Sequence, residues 1–302
     1  MDLSALKARL PPHPRTRFAP SPTGWLHLGH IVNAIYVWGI AEALDGRVVL
    51  RIEDHDRERS RAPFERGIVE DLAWLGLHPD EGGSEEAPIR QSDRQRAYDK
   101  ALERLDALGL VYACRCSRRE IEQAAGDGSE LRYRGTCRSL QRPRTEGTGL
   151  RVRIDPGEES FEDAAHGPQI QSPGDQSGDV LIRDRLGQWT YQWAVTVDDF
   201  DQEIDLVVRG DDLLASTGRQ IRMARLLGRQ HAPVFLHHPL LYGAPGVKLS
   251  KSNRDAGVRE LRDWGMSPAD VLGLAAARAG LLRAPTALQP RDLPTLFTSG
   301  QC

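Results

Sequence analysis

Lysine, cysteine and long apolar runs are all scarce in this sequence. Only four of the 40 basic residues are lysines, and only four of the 302 residues are cysteines. No stretch approaches the roughly 18 consecutive apolar residues that a membrane-spanning helix needs, and the N-terminal residues lack the apolar segment of a secretory signal. We therefore expect no membrane span, no membrane partner, a cytoplasmic location and reduced thiols.

Two nucleotide-binding patterns and any strong charge excess are also missing. The sequence contains neither the GxGxxG pattern of dinucleotide-binding folds nor the GxxxxGK[ST] pattern of P-loop proteins. The net charge of −3 argues against a broad, non-specific nucleic-acid binder, although a local basic face could still hold one RNA. Because no heptad repeat or unusual apolar stripe is visible, we expect a monomer.

The N-terminal part of the chain has the pattern of a strand, a turn, a helix and a second strand. The segment RTRFA is strand-like, and the helical run after it places Ile31 and Ile35 on one face. The apolar segment GRVVLRIED predicts a buried strand, and further helices are predicted at 63–76 and at 92–109, where Ser92 is a possible N-cap. This order is typical of a doubly wound α/β fold with a Rossmann-like parallel sheet.

The patterns divide the chain into four parts. Residues 1–110 form the first half of the Rossmann-like domain. Residues 111–189, with cysteine-, glycine- and proline-rich pieces between strand-like segments, predict an insertion. Residues 190–240 restore the α/β pattern and close the sheet, and residues 241–302 supply a loop and a small helical C-terminal segment.

The stretch FAPSPTGWLHLGH lies where the first strand passes into the first long helix. In a doubly wound sheet, ligands bind beyond the carboxyl ends of the strands, where a helix N-terminus offers N–H groups and positive potential to phosphate. Gly24 and Gly29 would let a ligand approach the backbone, while His27 and His30, one turn apart, would point to one face. The stretch predicts a phosphate site; the alternative is a simple turn with surface or helix-capping histidines.

Two of the four lysines, Lys248 and Lys251, lie together in the segment KLSKS. In a chain that uses arginine almost everywhere else, a lysine pair indicates a site that needs a compact, mobile ammonium group rather than a planar fork. The alternative is a solvated loop that holds two lysines by chance.

Three of the cysteines, Cys114, Cys116 and Cys137, fall within the predicted insertion, and the fourth is Cys302. Three thiols in a cytoplasmic protein favour zinc over disulfides. A structural zinc needs four ligands, usually thiolates or imidazoles, and a histidine such as His166 would serve as the fourth. Unligated cysteines are the alternative.

The segments HLGH at 27–30 and KLSKS at 248–252 together resemble the paired HIGH and KMSKS signatures of class I aminoacyl-tRNA synthetases. They occur in the same order as in that family, with RFAPSPTG before the first and RIEDHD after it. The combination is similar to the glutamyl and glutaminyl subclass and covers the chain from about Arg15 to Asn253. One departure is the leucine of KLSKS in place of methionine, a change that roughly conserves volume.

The resemblance implies a reaction in which an amino-acid carboxylate attacks the α-phosphorus of ATP and the activated acyl group passes to an RNA hydroxyl. ATP is then a substrate, expected with Mg²⁺ that is held largely by its phosphates and by water. Such catalysis rests on positioning and electrostatic stabilisation. The implied catalytic residues are His27, His30 and Lys251, and the implied ATP-binding residues are His27, Gly29, His30, Lys248 and Lys251.

The same resemblance implies L-glutamate as the amino acid. Glutamate carries two carboxylates and one ammonium group, so its pocket needs an arginine for bidentate pairing and a carboxylate for the amine. Ordinary strand-end charges in solvent are the alternative for Glu53 and Arg209. Strand alternation turns Asp54 to the face opposite Glu53, so we expect a structural role for Asp54. By position, the implied glutamate-binding residues are Arg17, Phe18, Ala19, Pro20, Ser21, Glu53, Tyr191 and Arg209.

The cysteine segments CRC and YRGTC are similar to the Cys-x-Cys, Tyr-x-x-x-Cys arrangement of one short branch of this subclass, the glutamyl-Q tRNA(Asp) synthetases. The branch implies that residues 111–189 are a zinc-binding, acceptor-like insertion. It also implies one structural Zn²⁺ per chain, with Tyr133 as the fourth ligand beside Cys114, Cys116 and Cys137.

The chain continues for only 50 residues after KLSKS, so we expect no anticodon-binding domain. Members of the glutamyl-Q branch attach glutamate to queuosine in the anticodon of tRNA(Asp), which makes that tRNA the implied partner. Two alternatives stay open. One is a minimal glutamyl-tRNA synthetase that charges a tRNA 3′ end, and the other is a synthetase-like RNA-binding protein without catalysis.

Overall fold

The computed structural model describes residues 2–84, 87–125, 132–241 and 257–298. The strands in this part of the chain are β1 (Arg15–Phe18), β2 (Arg47–Ile52), β3 (Ile89–Arg90), β4 (Val111–Cys114), β5 (Gly149–Val152), β6 (Glu159–Asp163), β7 (Gly167–Gln171), β8 (Val180–Arg183), β9 (Leu206–Gly210) and β10 (Val234–His238). The helices are α1 (Leu3–Lys7), α2 (Leu28–Ala43), α3 (Ala62–Leu75), α4 (Gln95–Ala107), α5 (Arg118–Ala125), α6 (Pro173–Gln176), α7 (Tyr191–Asp201), α8 (Thr217–Leu226), α9 (Val258–Asp263), α10 (Pro268–Arg278) and α11 (Thr295–Thr298).

A seven-stranded, mostly parallel sheet forms the centre of the fold, in the order β3-β2-β1-β9-β10-β6-β7. Neighbouring strands are parallel except for β6 and β7, which form an antiparallel hairpin at one edge. Strands β2 and β10 each have five consecutive buried residues, as expected where helices cover both faces of a parallel sheet. The predicted Rossmann-like parallel sheet is confirmed.

The strand order reverses at β1. Strands β2 and β3 extend the sheet to one side of β1, whereas β9, β10 and β6 extend it to the other. In open α/β sheets a crevice forms at such a switch point, outside the carboxyl ends of the strands. The fold therefore predicts a ligand site between the ends of β1 and β9.

The segment 111–189, expected to be an insertion, contributes to two sheets. Strands β4, β5 and β8 form a separate antiparallel sheet, the small sheet, in which Cys114 is the last residue of β4. The β6–β7 hairpin instead joins the central sheet, where Asp163 of β6 pairs with Phe235 of β10. Through this hairpin the segment reaches the region around the end of β10.

Helix α2 is the central helix of the fold and is buried around most of its circumference. Its aliphatic residues pack against β1, β2 and β9 on one side and against α10 and α11 on the other. Gly39 is required on the second side, because a Cβ atom there would lie 2.5 Å from the Phe297 ring. A helix that is apolar all round must be enclosed in this way.

The helix predicted at 63–76 is present as α3, which begins and ends one residue earlier. The start predicted for the next helix was wrong, because α4 begins at Gln95 and Ser92 lies in a short 3-10 turn. The backbone N–H of Ser92 donates to Oδ1 of Asp54 at 2.8 Å, which holds Ser92 in that turn. Within the described residues, no helix is long and apolar enough to cross a bilayer.

Candidate active site

A cleft of about 600 Å³ opens where the fold predicts it, at the carboxyl ends of β1, β9 and β10 and beside the start of α2. Its volume is within the range of about 300–1,000 Å³ that is usual for small-molecule sites. Ser21 is exposed and is not part of the cleft wall. The other described residues predicted from the sequence for ATP or glutamate line it together: Arg17, Phe18, Ala19, Pro20, His27, Gly29, His30, Glu53, Tyr191 and Arg209.

The two predicted lysines, Lys248 and Lys251, lie outside the described residues. The described residues on either side of their segment are both at this site. Leu241 lines the cleft, and Gly257 forms an antiparallel bridge with His27. The chain thus leaves the cleft wall at one end of the segment and returns to the start of α2 at the other.

His27 and His30 form the N-terminal cap of α2. Nδ1 of His27 accepts from the backbone N–H of Gly29 at 3.1 Å, and Nδ1 of His30 accepts from the backbone N–H of His27 at 3.2 Å. The two histidines are therefore helix-capping residues, and these two N–H groups have side-chain partners. The phosphate site at the same helix start stays a prediction. A neutral imidazole that accepts at Nδ1 carries its hydrogen at Nε2. Both rings, with centroids 3.9 Å apart, can then donate from Nε2.

Two buried arginines share the carboxylate of Asp199 on α7. Nε of Arg17 lies 3.1 Å from Oδ1 of Asp199, and Nη1 of Arg51 lies 2.8 Å from the same oxygen. Burial raises the pKa of Asp199, but Arg17 and Arg51 outweigh it, so the pKa lies below its ordinary value. The ionised carboxylate holds Arg17 at the cleft wall.

Glu53 follows β2 directly and is buried beside the same arginines. Its Oε1 accepts from Nη2 of Arg51 at 3.1 Å. Burial raises the pKa of Glu53, although Arg51 and Arg17 oppose the rise. Asp54 turns to the other face and bonds the backbone of Ser92, as strand alternation predicts. Glu53 therefore presents an acidic group to the cleft, and Asp54 does not.

Arg209, on β9, is held by three strong hydrogen bonds. Nε donates to Nε2 of His237 at 2.9 Å, Nη1 to Oε1 of Gln220 at 2.7 Å, and Nη2 to Oγ1 of Thr217 at 2.8 Å. Burial lowers the pKa of Arg209, yet a guanidinium remains charged in proteins. The cleft therefore contains a fixed positive charge at the end of β9.

Tyr191 begins α7 and lines the cleft between the charged groups. Burial, followed by the negative charge of Glu53, raises the pKa of Tyr191 to about 12. The phenol is therefore protonated at neutral pH and can donate a hydrogen bond. Arg17 and Arg209 supply cations, Glu53 an anion and Tyr191 a neutral donor, which suits a small zwitterion with additional negative charge.

The groups that hold these side chains were not identified from the sequence. Asp198 is fully buried on α7 and accepts from Gln91 at 2.8 Å, from Tyr98 at 2.9 Å and from Arg94 at 2.5 Å. The available signals were an arginine within the apolar strand VVLRI and two adjacent aspartates within an apolar helix. Buried charges need partners, so both patterns indicate long-range ion pairs. Neither pattern identifies the partner residues.

Cys114 at the end of β4 lies together with Cys116 and Cys137, and all three Sγ atoms are within 4.8 Å of one another. A tetrahedral zinc with sulfur ligands at about 2.3 Å separates two sulfurs by about 3.8 Å. Sγ of Cys116 and Sγ of Cys137 are 3.7 Å apart. The donor set fits a thiolate-rich metal site.

Of the two fourth ligands considered, Tyr133 lies at this cluster. Its hydroxyl oxygen is 3.4 Å from Sγ of Cys114 and accepts from the backbone N–H of Cys137 at 2.7 Å. The His166 alternative is wrong. His166 lies in the turn between β6 and β7, where its Nε2 is 2.7 Å from Oδ1 of Asp211. The hairpin that joins the central sheet carries His166 away from the small sheet.

Comparison with known proteins identifies the family. Residues 14–282 match the family model described as tRNA synthetases class I (E and Q), catalytic domain. The chain is 38% identical over 299 residues to the glutamyl-Q tRNA(Asp) synthetase of Nitratidesulfovibrio vulgaris, covering 94% of this chain and 92% of that protein. It is 39% identical to glutamate–tRNA ligase 2 of Syntrophus aciditrophicus, covering 87% of this chain but 57% of the ligase.

A solved structure gives the same result for the fold. A glutamate tRNA ligase from Elizabethkingia meningosepticum, crystallised in complex with its amino acid, matches with a TM-score of 0.76 and 26% identity. The match covers 93% of this chain and 64% of the ligase chain, so this chain spans under two thirds of that protein. The resemblance read from HLGH, KLSKS and their flanking segments is confirmed. The chain belongs to the class I tRNA synthetases of the E and Q group, a family of ATP-dependent aminoacyl ligases.

Proposed function

We propose that this protein activates L-glutamate with ATP to form glutamyl-adenylate and transfers the glutamyl group to queuosine in the anticodon of tRNA(Asp). One observation carries the first half of this proposal. Arg17, Glu53, Tyr191 and Arg209 share a single cleft with the imidazoles at the start of α2. This arrangement supports an amino-acid pocket and a phosphate site side by side in one cleft.

The charges of the cleft support glutamate as the amino acid. The α-ammonium group would pair with Glu53, whose carboxylate is otherwise paired with Arg51 at 3.1 Å. A carboxylate would pair with Arg209, which is buried and fixed by His237, Gln220 and Thr217. A buried arginine favours a carboxylate over a neutral amide because only the carboxylate balances its charge.

The phosphates of ATP would lie at the start of α2. His27 and His30 would donate from Nε2, while Gly29 lets the phosphates approach the backbone. Lys251, assisted by Lys248, would add positive charge as the α-phosphorus is attacked, and Mg²⁺ would accompany the triphosphate. No protein nucleophile is needed, since the glutamate carboxylate itself attacks.

The choice of RNA rests on the relatives. The matched region spans 92% of the Nitratidesulfovibrio glutamyl-Q tRNA(Asp) synthetase and 88% of the one from Burkholderia cenocepacia, which is 42% identical. It spans only 57% of the Syntrophus glutamate–tRNA ligase. The names of the two relatives that the matched region nearly spans support the queuosine-directed activity, and the charging of a tRNA 3′ end stays the alternative.

The cysteine cluster would hold one structural Zn²⁺ per chain. Cys114, Cys116 and Cys137 would supply thiolates, and Tyr133 would complete the site. The metal would tie β4 to the segment around Cys137. Its role would be structural, because a closed four-ligand zinc leaves no position open for substrate.

Two assays test the proposal. Glutamate should drive exchange of labelled pyrophosphate into ATP without RNA, and no exchange in the intact protein would reject the enzymatic function. Labelled glutamate should then attach to tRNA(Asp) that carries queuosine, but not to the same tRNA without it. Label found only at the 3′ end of tRNA(Glu) would establish the alternative, a glutamyl-tRNA synthetase.

A further inference from the structure

The β6–β7 hairpin contacts the chain around Arg209 at several points. Nε2 of His166 lies 2.7 Å from Oδ1 of Asp211. The side chain of Gln171 donates to the carbonyl of Leu214 at 2.9 Å and accepts from the backbone N–H of Gly218 at 2.8 Å. The hairpin therefore fixes the turn that leads from β9 into α8.

The most deeply buried of these contacts joins Asp163, the last residue of β6, to His237 on β10. Oδ2 of Asp163 lies 2.6 Å from Nδ1 of His237, and both side chains are fully buried. Oδ1 of Asp163 accepts from the backbone N–H groups of Ala165 and His166, both at 3.0 Å. This carboxylate thus has a donor on each oxygen, and it contacts His237 twice, at Nδ1 of the ring and, through Oδ1, at the backbone N–H at 3.4 Å.

The contact with Asp163 determines which nitrogen of His237 carries the hydrogen. A carboxylate can only accept, so Nδ1 of His237 must donate to it. In the neutral ring, Nε2 then has a free electron pair, and it accepts from Nε of Arg209 at 2.9 Å. The three residues form an ordered chain in which Asp163 orients His237 and His237 orients the guanidinium of Arg209.

We propose that Asp163 and His237 are positioning residues that aim Arg209 at a carboxylate of the amino-acid substrate. This inference rests on the proposed function, because it requires glutamate as the ligand of Arg209. Neither residue lines the cleft, so neither touches the substrate, and their effect reaches it only through Arg209.

The arrangement matters because Arg209 has more donors than its protein partners use. Its bonds to His237, Gln220 and Thr217 use three of five N–H groups, and a longer contact of 3.4 Å joins Nη2 to the carbonyl of Leu213. The N–H group that remains on Nη1 can reach a carboxylate only if the guanidinium plane is correctly turned. The Nε contact with His237 is one of the three bonds that fix the rotation of that plane, and it is the one at the base of the guanidinium. Without it, binding would include the cost of ordering the side chain.

Two substitutions of His237 separate positioning from simple packing. His237→Gln offers an amide N–H to Asp163 and an amide oxygen to Arg209, so it keeps both polar contacts. His237→Leu fills similar space but offers neither. In pyrophosphate exchange, His237→Leu should raise KM for glutamate about 10-fold to 100-fold and leave KM for ATP within about 2-fold, whereas His237→Gln should stay near the wild type.

Asp163→Asn tests the other end of the chain. The amide N–H of the new asparagine would face Nδ1 of His237, so the ring hydrogen would have to move to Nε2. There it would point at the N–H of Nε of Arg209 and break that hydrogen bond. KM for glutamate should therefore rise as in His237→Leu. Glu159→Gln is the matched control, because Glu159 is a buried carboxylate on the same strand that pairs with Arg222 and Arg225 of α8. The control should lose stability in urea unfolding without a selective change in KM for glutamate.

Each outcome decides the inference. It is overturned if His237→Gln and His237→Leu raise KM for glutamate equally, if KM for glutamate and for ATP rise together, or if Glu159→Gln reproduces the effect of Asp163→Asn. Absence of glutamate-dependent exchange in the wild type would instead reject the proposed function, and the inference with it. A selective rise that His237→Gln avoids supports both.

Discussion

The carboxylate of Asp199 lies 3.1 Å from Nε of Arg17 and 2.8 Å from Nη1 of Arg51. All three residues are buried, and Arg51 is fully so. One carboxylate on α7 therefore offsets the positive charges of Arg17 on β1 and Arg51 on β2, at the point where the cleft opens. We therefore expect Asp199 to matter both for stability and for the orientation of Arg17 at the cleft wall.

Replacing Asp199 by Ala should therefore destabilise the protein strongly. Two buried guanidinium groups would lose their shared counter-charge, and the free energy of unfolding in urea should fall by about 3–5 kcal/mol. Asp56→Ala is the control, since it removes a carboxylate from a pair with the exposed Arg59 and should cost less than about 1 kcal/mol. Similar losses in the two variants would contradict the role given to Asp199.

Glutamate binding should weaken in acid because of Glu53. Its pKa is raised above the ordinary 4.5 by burial, so protonation begins at a higher pH than for an exposed glutamate and removes the charge that would pair with the substrate ammonium. KM for glutamate should rise as the pH falls towards this pKa. Glu53→Gln should have a high KM at neutral pH and a weaker pH dependence. The variant also controls for titration of glutamate itself, and an unchanged pH profile would argue against the assignment.

His27 caps α2, and one substitution can separate this role from the phosphate contact proposed for its Nε2. His27→Ser keeps an oxygen that can cap α2 but removes the Nε2 donor, so stability should change by less than about 1 kcal/mol. The rate of pyrophosphate exchange should nevertheless fall by about 10²-fold to 10³-fold, as for the loss of one preorganised donor. A stable variant with a normal rate would mean that His27 only caps the helix.

Metal analysis should find about one zinc per chain, and a strong chelator should lower the unfolding temperature. Cys116→Ser should reduce the zinc content, and Tyr133→Phe should weaken zinc retention while leaving three thiolates. Cys302→Ser, which alters the cysteine outside the cluster, is the control and should retain the metal. Free titration of all thiols in active, metal-free protein would refute the site.

Lys251→Ala should lower the rate of glutamate activation by about 10²-fold or more, with little change in the free energy of unfolding. The loss would fall on kcat, since the ammonium group is assigned to charge that develops during attack on the α-phosphorus. Lys100→Ala, on the exposed face of α4, is a matched control and should behave as the wild type. Parallel losses of rate and stability in Lys251→Ala would contradict the assignment.

The sequence was most informative about local structure and about segments that carry chemistry. The run from Arg15 to Ile52 predicted the β1–α2–β2 unit, because apolar periodicity and turn residues act over short distances. The cleft residues followed from the family resemblance, and the fold brings together all of the described ones except Ser21. Here the local pattern and the final fold agree.

The buried polar contacts could not be predicted in the same way. Asp163 and His237 are 74 positions apart, and Arg17 and Asp199 are 182 apart. Each pairing depends on how the sheet is ordered, which periodicity does not encode. His166 illustrates the difficulty, because ligand chemistry alone favoured it for zinc, whereas the hairpin places it beside Asp211.

The β6–β7 hairpin also limits how this protein can be re-engineered. The simplest way to exchange the small sheet for that of another synthetase would be to replace all of residues 111–189. That graft would remove two strands from the border of the central sheet, together with Asp163. If the chimera is to bind the amino acid as proposed, it must retain residues 159–171 of this protein. Only the portions of 111–189 on either side of them can be replaced.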